Sequence, residues 1–150
     1  MNAVEVEARH EIMLEEYQKR IQIESRVLGD LAGNHIVPTA IRYQNTLIDN
    51  VQRLKNILDE ETFTSVAKEQ LEMIKEISKR ISEIISNKDA MIEARKMSNS
   101  LKSTKEMAHS YCNEVLPYFD KIRYQVDKLE LMIDDEIWPL PKLRELLFTK

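Results

Sequence analysis

An all-α fold, an elongated antiparallel three-helix bundle, is what this sequence predicts, on three observations. Glycine and proline are scarce, two and four in 150 residues, while 32% of the chain is charged and Glu, Lys, Ile and Leu are abundant. That composition favours packed helices over sheet or disorder. Apolar residues recur every three or four positions along three long segments, the period of a helix with one buried face. Short polar stretches separate the segments, so successive helices return alongside one another. A domain of this length buries roughly two thirds of its unfolded surface. Residues 1–150 are therefore read as a single helical bundle, with kinks near Pro38 and Pro117 and a short apolar C-terminal segment.

The first helix starts near Glu5, with Leu14, Tyr17, Ile21, Leu28 and Leu31 on its apolar stripe and Ile12, Ile23 and Val27 widening it. Glu15 with Lys19 and Glu16 with Arg20 are i,i+4 pairs that support its wet face. The stretch from Gly29 to Asn50 interrupts the pattern. Gly29, Gly33 and Pro38 fall inside it, and a helix interior pays about 1 kcal/mol for Gly and about 3 for Pro relative to Ala. Asn34, His35, Arg42, Tyr43, Gln44, Asn45 and Asn50 make it rich in hydrogen-bonding groups. Beyond Pro38 the stripe resumes in a shifted phase as Ala40, Tyr43, Leu47, Val51, Leu54 and Leu58. Two arrangements fit: one helix kinked at Pro38, which is the reading preferred, or two helices with Gly33 as C-cap and Pro38 in the next first turn.

Thr62, Thr64 and Ser65 are candidate N-caps for the second helix. Its stripe runs through Phe63, Ala67, Leu71, Ile74, Ile77, Ile81, Ile84, Met91 and Ile92, with Gln70 and Lys88 on or near the seam. Asn99-Ser100 ends it, and Ser103 with Glu106 has the form of a capping box for the third helix. The third apolar face is Ala108, Cys112, Val115, Phe119, Ile122, Val126, Leu129 and Ile133, interrupted by Pro117. Asp134, Asp135 and Glu136 are expected in its last turn, where the helix dipole disfavours anions. Trp138-Pro139-Leu140-Pro141 cannot continue a helix. With Leu143, Leu146, Leu147 and Phe148 it forms a tail apolar enough to be a docking segment.

Several function classes are set aside by the residues. A net charge of −4 offers no general field for nucleic acid. No apolar run approaches the ~20 residues that span a bilayer, and the N-terminal stretch is acidic where a signal peptide is basic and then apolar. Cys112 is the lone cysteine, so no intrachain disulfide forms and the cytoplasm is the expected location. Two Glu-x-x-His motifs, Glu7 with His10 and Glu106 with His109, have the spacing of di-iron carboxylate bundles, and Glu93 could join them; a metal-binding bundle is the alternative reading. Against it, 18 glutamates occupy about one position in eight, so the spacing arises readily without a site. His35 has no Ser or Cys nucleophile in a recognisable motif, Cys112 reads as a small core residue, and two glycines make no phosphate loop. No catalytic residues are assigned. The interface candidates are Asn34, His35, the Arg-Tyr pairs Arg42-Tyr43 and Arg123-Tyr124, and the tail residues Trp138, Leu143 and Phe148. The polar break is also a third candidate, a regulatory ligand site.

Residues 8–45, ARHEIMLEEYQKRIQIESRVLGDLAGNHIVPTAIRYQN, and 111–148, YCNEVLPYFDKIRYQVDKLELMIDDEIWPLPKLRELLF, with AMIEAR at 90–95, carry a family resemblance. The chain resembles the C-terminal helical region of the type III glutamine synthetases, the large bacterial form. The resemblance implies a fragment of an enzyme that joins ammonia to glutamate using ATP and Mg²⁺ or Mn²⁺ and assembles as stacked hexameric rings. The family's catalytic residues lie in an upstream region, so none is carried over. What the resemblance implies for this chain is a structural and interaction module without a cofactor of its own. Its partners would be the rest of the enzyme and neighbouring subunits, with self-association possible.

Overall fold

The computed structural model describes residues 2–141. Those residues form three helices and no strand. The first comprises α1 (Ala3–Leu31) and α2 (Val37–Ile57), joined through a π turn at Ala32–Ile36; the second is α3 (Glu60–Asn99); the third comprises α4 (Thr104–Ser110) and α5 (Pro117–Met132), joined through a π turn at Tyr111–Val115.

Each helix begins on a side chain that satisfies a free backbone donor. Asn2 accepts from the Glu5 N–H at 2.9 Å, and Ser103 accepts from the Glu106 N–H at 3.0 Å, as expected of the capping box. The cap of α3 corrects the sequence expectation. It is Asp59, whose carboxylate accepts from the Thr62 N–H at 3.1 Å, while Thr62 and Thr64 lie inside the first turns. Leu58, in extended conformation, separates Asp59 from the end of α2.

The two prolines sit in equivalent places. The Val37 N–H reaches back five residues to the Ala32 carbonyl immediately before Pro38, and the Leu116 N–H reaches five back to the Tyr111 carbonyl immediately before Pro117. A proline ring collides with the carbonyl four residues earlier and removes one N–H from the ladder. A turn wound one residue wider displaces that carbonyl, so the helix passes the proline without ending. The local sequences are alike, Asn34-His35-Ile36-Val37-Pro38 and Asn113-Glu114-Val115-Leu116-Pro117. Neither glycine has a positive φ, so the arrangement with Gly33 as a left-handed C-cap does not occur.

Both wide turns bury their first and last residues, Ala32 with Ile36 and Tyr111 with Val115. Here the expected third apolar face is corrected. Tyr111 is fully buried and Cys112 is exposed, because the inward step after Ala108 is three residues, not four. On α1, Ile12, Ile23 and Val27 do not widen the stripe but face outward at 55, 62 and 61% exposure, whereas Ser25 is buried. Leu71 on α3 is likewise at the exposed edge. Along α3, Ile77, Ile84, Met91 and Ser98 are buried at seven-residue intervals, the seam of a helix gripped along one side.

Hydrogen bonds tie the helices together between polar edges. Gln44 donates to the Ile74 carbonyl at 2.9 Å and to Ser78 at 2.6 Å, and Asn50 donates to Gln70 at 2.6 Å. Arg80 donates to Gln125 at 3.0 Å, Ser98 and Ser110 share a bond of 2.6 Å, and the Tyr111 hydroxyl donates to Asn99. Inside them, one apolar cluster draws Ile21, Ile36, Ala40, Ile77, Ile84, Met91, Val115, Ile122 and Leu129 from all three helices. Each large side chain so buried contributes about 1.5–3 kcal/mol. The acids Asp134, Asp135 and Glu136 lie beyond the last helix, since Ile133 is already extended. Asp134 there accepts from the Glu136 N–H at 3.0 Å and, through its carbonyl, from the N–H groups of Ile137 and Trp138 at 3.2 Å.

Candidate functional site

The polar break keeps its chemistry on the outside of the first π turn. Asp30 lies one helical turn before Asn34, and the Asn34 amide donates to one Asp30 carboxylate oxygen at 2.6 Å. The other oxygen stands 3.7 Å from His35 Nε2. Both side chains are more than half exposed, 54% for His35 and 62% for Asp30, so solvent screens the contact. On the inward side Thr39, buried, donates to the His35 carbonyl at 2.8 Å and accepts from Arg42 at 3.1 Å. The hydroxyl thereby serves a carbonyl of the widened turn.

Lys88 of α3 lies across this turn. A Cβ built on Gly33 would come within 2.9 Å of the Lys88 Nζ, and one on Gly29 within 3.8 Å of its Cγ. Glycine at 33 leaves the space in which the ammonium lies. Beside it is a hollow of about 400 Å³ lined by Arg26, Gly29, Asp30, Asn34, Lys88, Ile92 and Arg95. The seven-residue period that sets Met91 and Ser98 inward also puts Arg95 seven residues after Lys88, on the same side of α3. Arg26 and Arg95 escaped the sequence reading; two glycines four apart on one helix face, with Arg26 one turn before them, were the available signal.

The Arg-Tyr pairs behave differently. Tyr43 is half-buried against the core and Arg42 is held by Thr39. Tyr124 is 53% exposed, with the Arg80 guanidinium 5.6 Å and the Lys128 ammonium 5.5 Å from its ring centre, and Arg123 is exposed. Arg123 lines a second hollow of about 280 Å³, largely apolar, with Leu28, Leu31, Ile36, Val126 and Trp138. Trp138 is only 7% exposed there. Leu143 and Phe148 lie outside the described residues. The structure thus gathers Asn34 and His35 around Asp30, and Arg123 with Trp138, but does not unite all the candidates in one site.

Glu7, His10, Glu106 and His109 are all exposed, and Glu93 is engaged with Lys96 at 3.3 Å. Among the described residues no three His, Cys, Asp or Glu side chains gather as metal ligands would. Cys112 is a hydrogen-bond partner of the Tyr17 hydroxyl, a contact that raises the Tyr17 pKa above its ordinary value. Burial raises that of Tyr111.

Comparison with known proteins agrees with the resemblance. The family described as the glutamine synthetase C-terminal domain matches residues 1–55. A glutamine synthetase of Bacteroides fragilis (strain YCH46) is 52% identical over 149 residues, 99% of this chain and 20% of that protein. A type-3 glutamine synthetase of Dictyostelium discoideum is 26% identical over 150 residues, 100% of this chain and 20% of that protein. A glutamine synthetase of Butyrivibrio fibrisolvens is 26% identical over 145 residues, 97% of this chain and 20% of that protein. The chain thus spans about a fifth of the length of these curated relatives. By its match over residues 1–55 and its similarity along nearly its whole length, the chain is similar to the C-terminal region of glutamine synthetases.

Proposed function

We propose that this chain is a non-catalytic structural and interaction module of a large, type III-like glutamine synthetase, packing on the catalytic region or on neighbouring subunits. As an elongated antiparallel three-helix bundle, it would be re-aimed at Pro38 and Pro117 by the two widened turns. The parent would ligate ammonia to glutamate with ATP and Mg²⁺ or Mn²⁺, in the cytoplasm, using residues outside this chain. That no helix among the described residues is long and apolar enough to cross a membrane is compatible with this reading.

The observation that carries it is the outer face of α1. Every described residue from Asn2 to Met13 is exposed, and Val6, Ile12, Met13, Ile23 and Val27 are each more than half exposed on one helix. Five exposed apolar side chains on one side of the helix, interleaved with Arg9, Glu16, Arg20 and Glu24, support a partner surface of mixed apolar and charged character. Against the metal-binding alternative, Glu7, His10, Glu106 and His109 all face solvent and, among the described residues, join no group of three metal ligands.

The test uses a glutamine synthetase from which the matching region has been deleted, mixed with the present chain. Co-elution on size exclusion is expected, and Ile23→Glu or Val27→Glu should abolish it while leaving the circular dichroism unchanged. Absence of any complex, or a complex indifferent to both substitutions, overturns the assignment of this face.

A further inference from the structure

The chain is acidic overall, with a net charge of −4, yet three cationic side chains meet around one hollow. We propose that the hollow beside Gly29 and Gly33 binds the phosphate group of a small anionic ligand, held by Arg26, Lys88 and Arg95.

The charge balance is the first argument. The ion pairs among the described residues join Asp30 with His35, Lys75 with Glu72, Arg80 with Glu76 and Lys96 with Glu93. None of them uses Arg26, Lys88 or Arg95. The one carboxylate at the rim, Asp30, is turned to Asn34 and His35. Three positive charges against one negative leave an excess of two, which matches a phosphate dianion better than a single carboxylate.

The shape is the second. Both glycines of the chain lie under Lys88. A side chain at position 33 would contact the lysine head at 2.9 Å and its Cδ at 3.2 Å, so glycine keeps the ammonium at the turn. Guanidinium groups offer planar paired donors and the ammonium a point charge, the combination that recognises phosphate oxygens. A hollow of about 400 Å³ exceeds what phosphate alone fills and leaves space for the organic part of a metabolite. The site lies in mid-helix, where backbone N–H groups are already bonded, so binding rests on side-chain charge and weakens with salt.

The experiment is calorimetric titration of the chain alone with inorganic phosphate and with pyrophosphate at low ionic strength, acetate serving as the carboxylate control. Saturable one-to-one binding of phosphate or pyrophosphate is expected, at least about tenfold weaker in Arg26→Gln, Lys88→Met and Arg95→Gln, with acetate much weaker. Arg26 is exposed, so its variant tests the site without disturbing the core. Three results overturn the proposal: no saturable binding of either anion, affinity unchanged in all three variants, or acetate binding as tightly as pyrophosphate. The packing role is measured with a different partner, so failure here leaves it standing.

Discussion

Gly33 separates stability from ligand binding within a single residue. An added Cβ would meet the far end of a flexible lysine, which can move, and alanine is favoured over glycine in a helix by about 1 kcal/mol. Gly33→Ala should therefore leave the thermal midpoint unchanged or raised, while displacing the Lys88 head and weakening phosphate binding several-fold. A lowered midpoint with intact binding would contradict this account of the glycine. Asp59 gives the corresponding case for pH. Hydrogen bonds from Thr62 hold its pKa below the usual carboxylate value. A depressed folded pKa means that its contribution to stability is present above the unfolded value and is lost as pH falls through the folded one. In Asp59→Asn that part of the acid limb of the stability profile should flatten, as followed by denaturant melts across the acid range. The cap itself was obscured in the sequence because Thr62, Thr64 and Ser65, also favoured capping types, follow within six residues.

Two prolines, each preceded by a turn of the same width, raise the question of whether the ring or the core sets that turn. The first and last residues of both turns are buried, Ala32, Ile36, Tyr111 and Val115 all at 0% exposure, which favours the core. Pro117→Ala removes the steric demand but not the pull of Tyr111 and Val115 into the cluster. Cys112 should then stay outward and react with a thiol reagent as fast as in the parent chain. Slow labelling would mean that the helix had rewound and that proline alone imposes the turn. The same turn explains the one misplaced residue of the third apolar face. Periodicity from Ala108 permits a step of three to Tyr111 or four to Cys112, and both side chains are at home in a core. The prolines were visible, but a proline in a sequence announces a disturbance and not whether the chain bends, breaks or widens.

At the level of the whole chain, three helical segments and most of their inward faces were legible, because burial repeats with the period of the helix. The exposed apolar positions were not, since Ile12, Ile23 and Val27 have the same chemistry as core residues and only the packed structure shows them outside. The two hollows were illegible for a related reason: each joins residues more than fifty positions apart, which local patterning cannot relate. Trp138 connects such distant parts. It follows the last helix, its backbone N–H is anchored on the Asp134 carbonyl at 3.2 Å, and it lines one hollow with residues of α1, the first π turn and α5. Trp138 thus belongs to the core cluster, with Leu140 packed against it. Trp138→Ala removes a large side chain that is 7% exposed, and such truncations cost about 3–5 kcal/mol when the site cannot collapse. Denaturant unfolding should show a loss of that order, and the parent chain's tryptophan emission should be blue-shifted until the same transition. An emission maximum typical of water in the native chain, with a loss below about 0.5 kcal/mol in the variant, would mean that the indole does not close the bundle in solution.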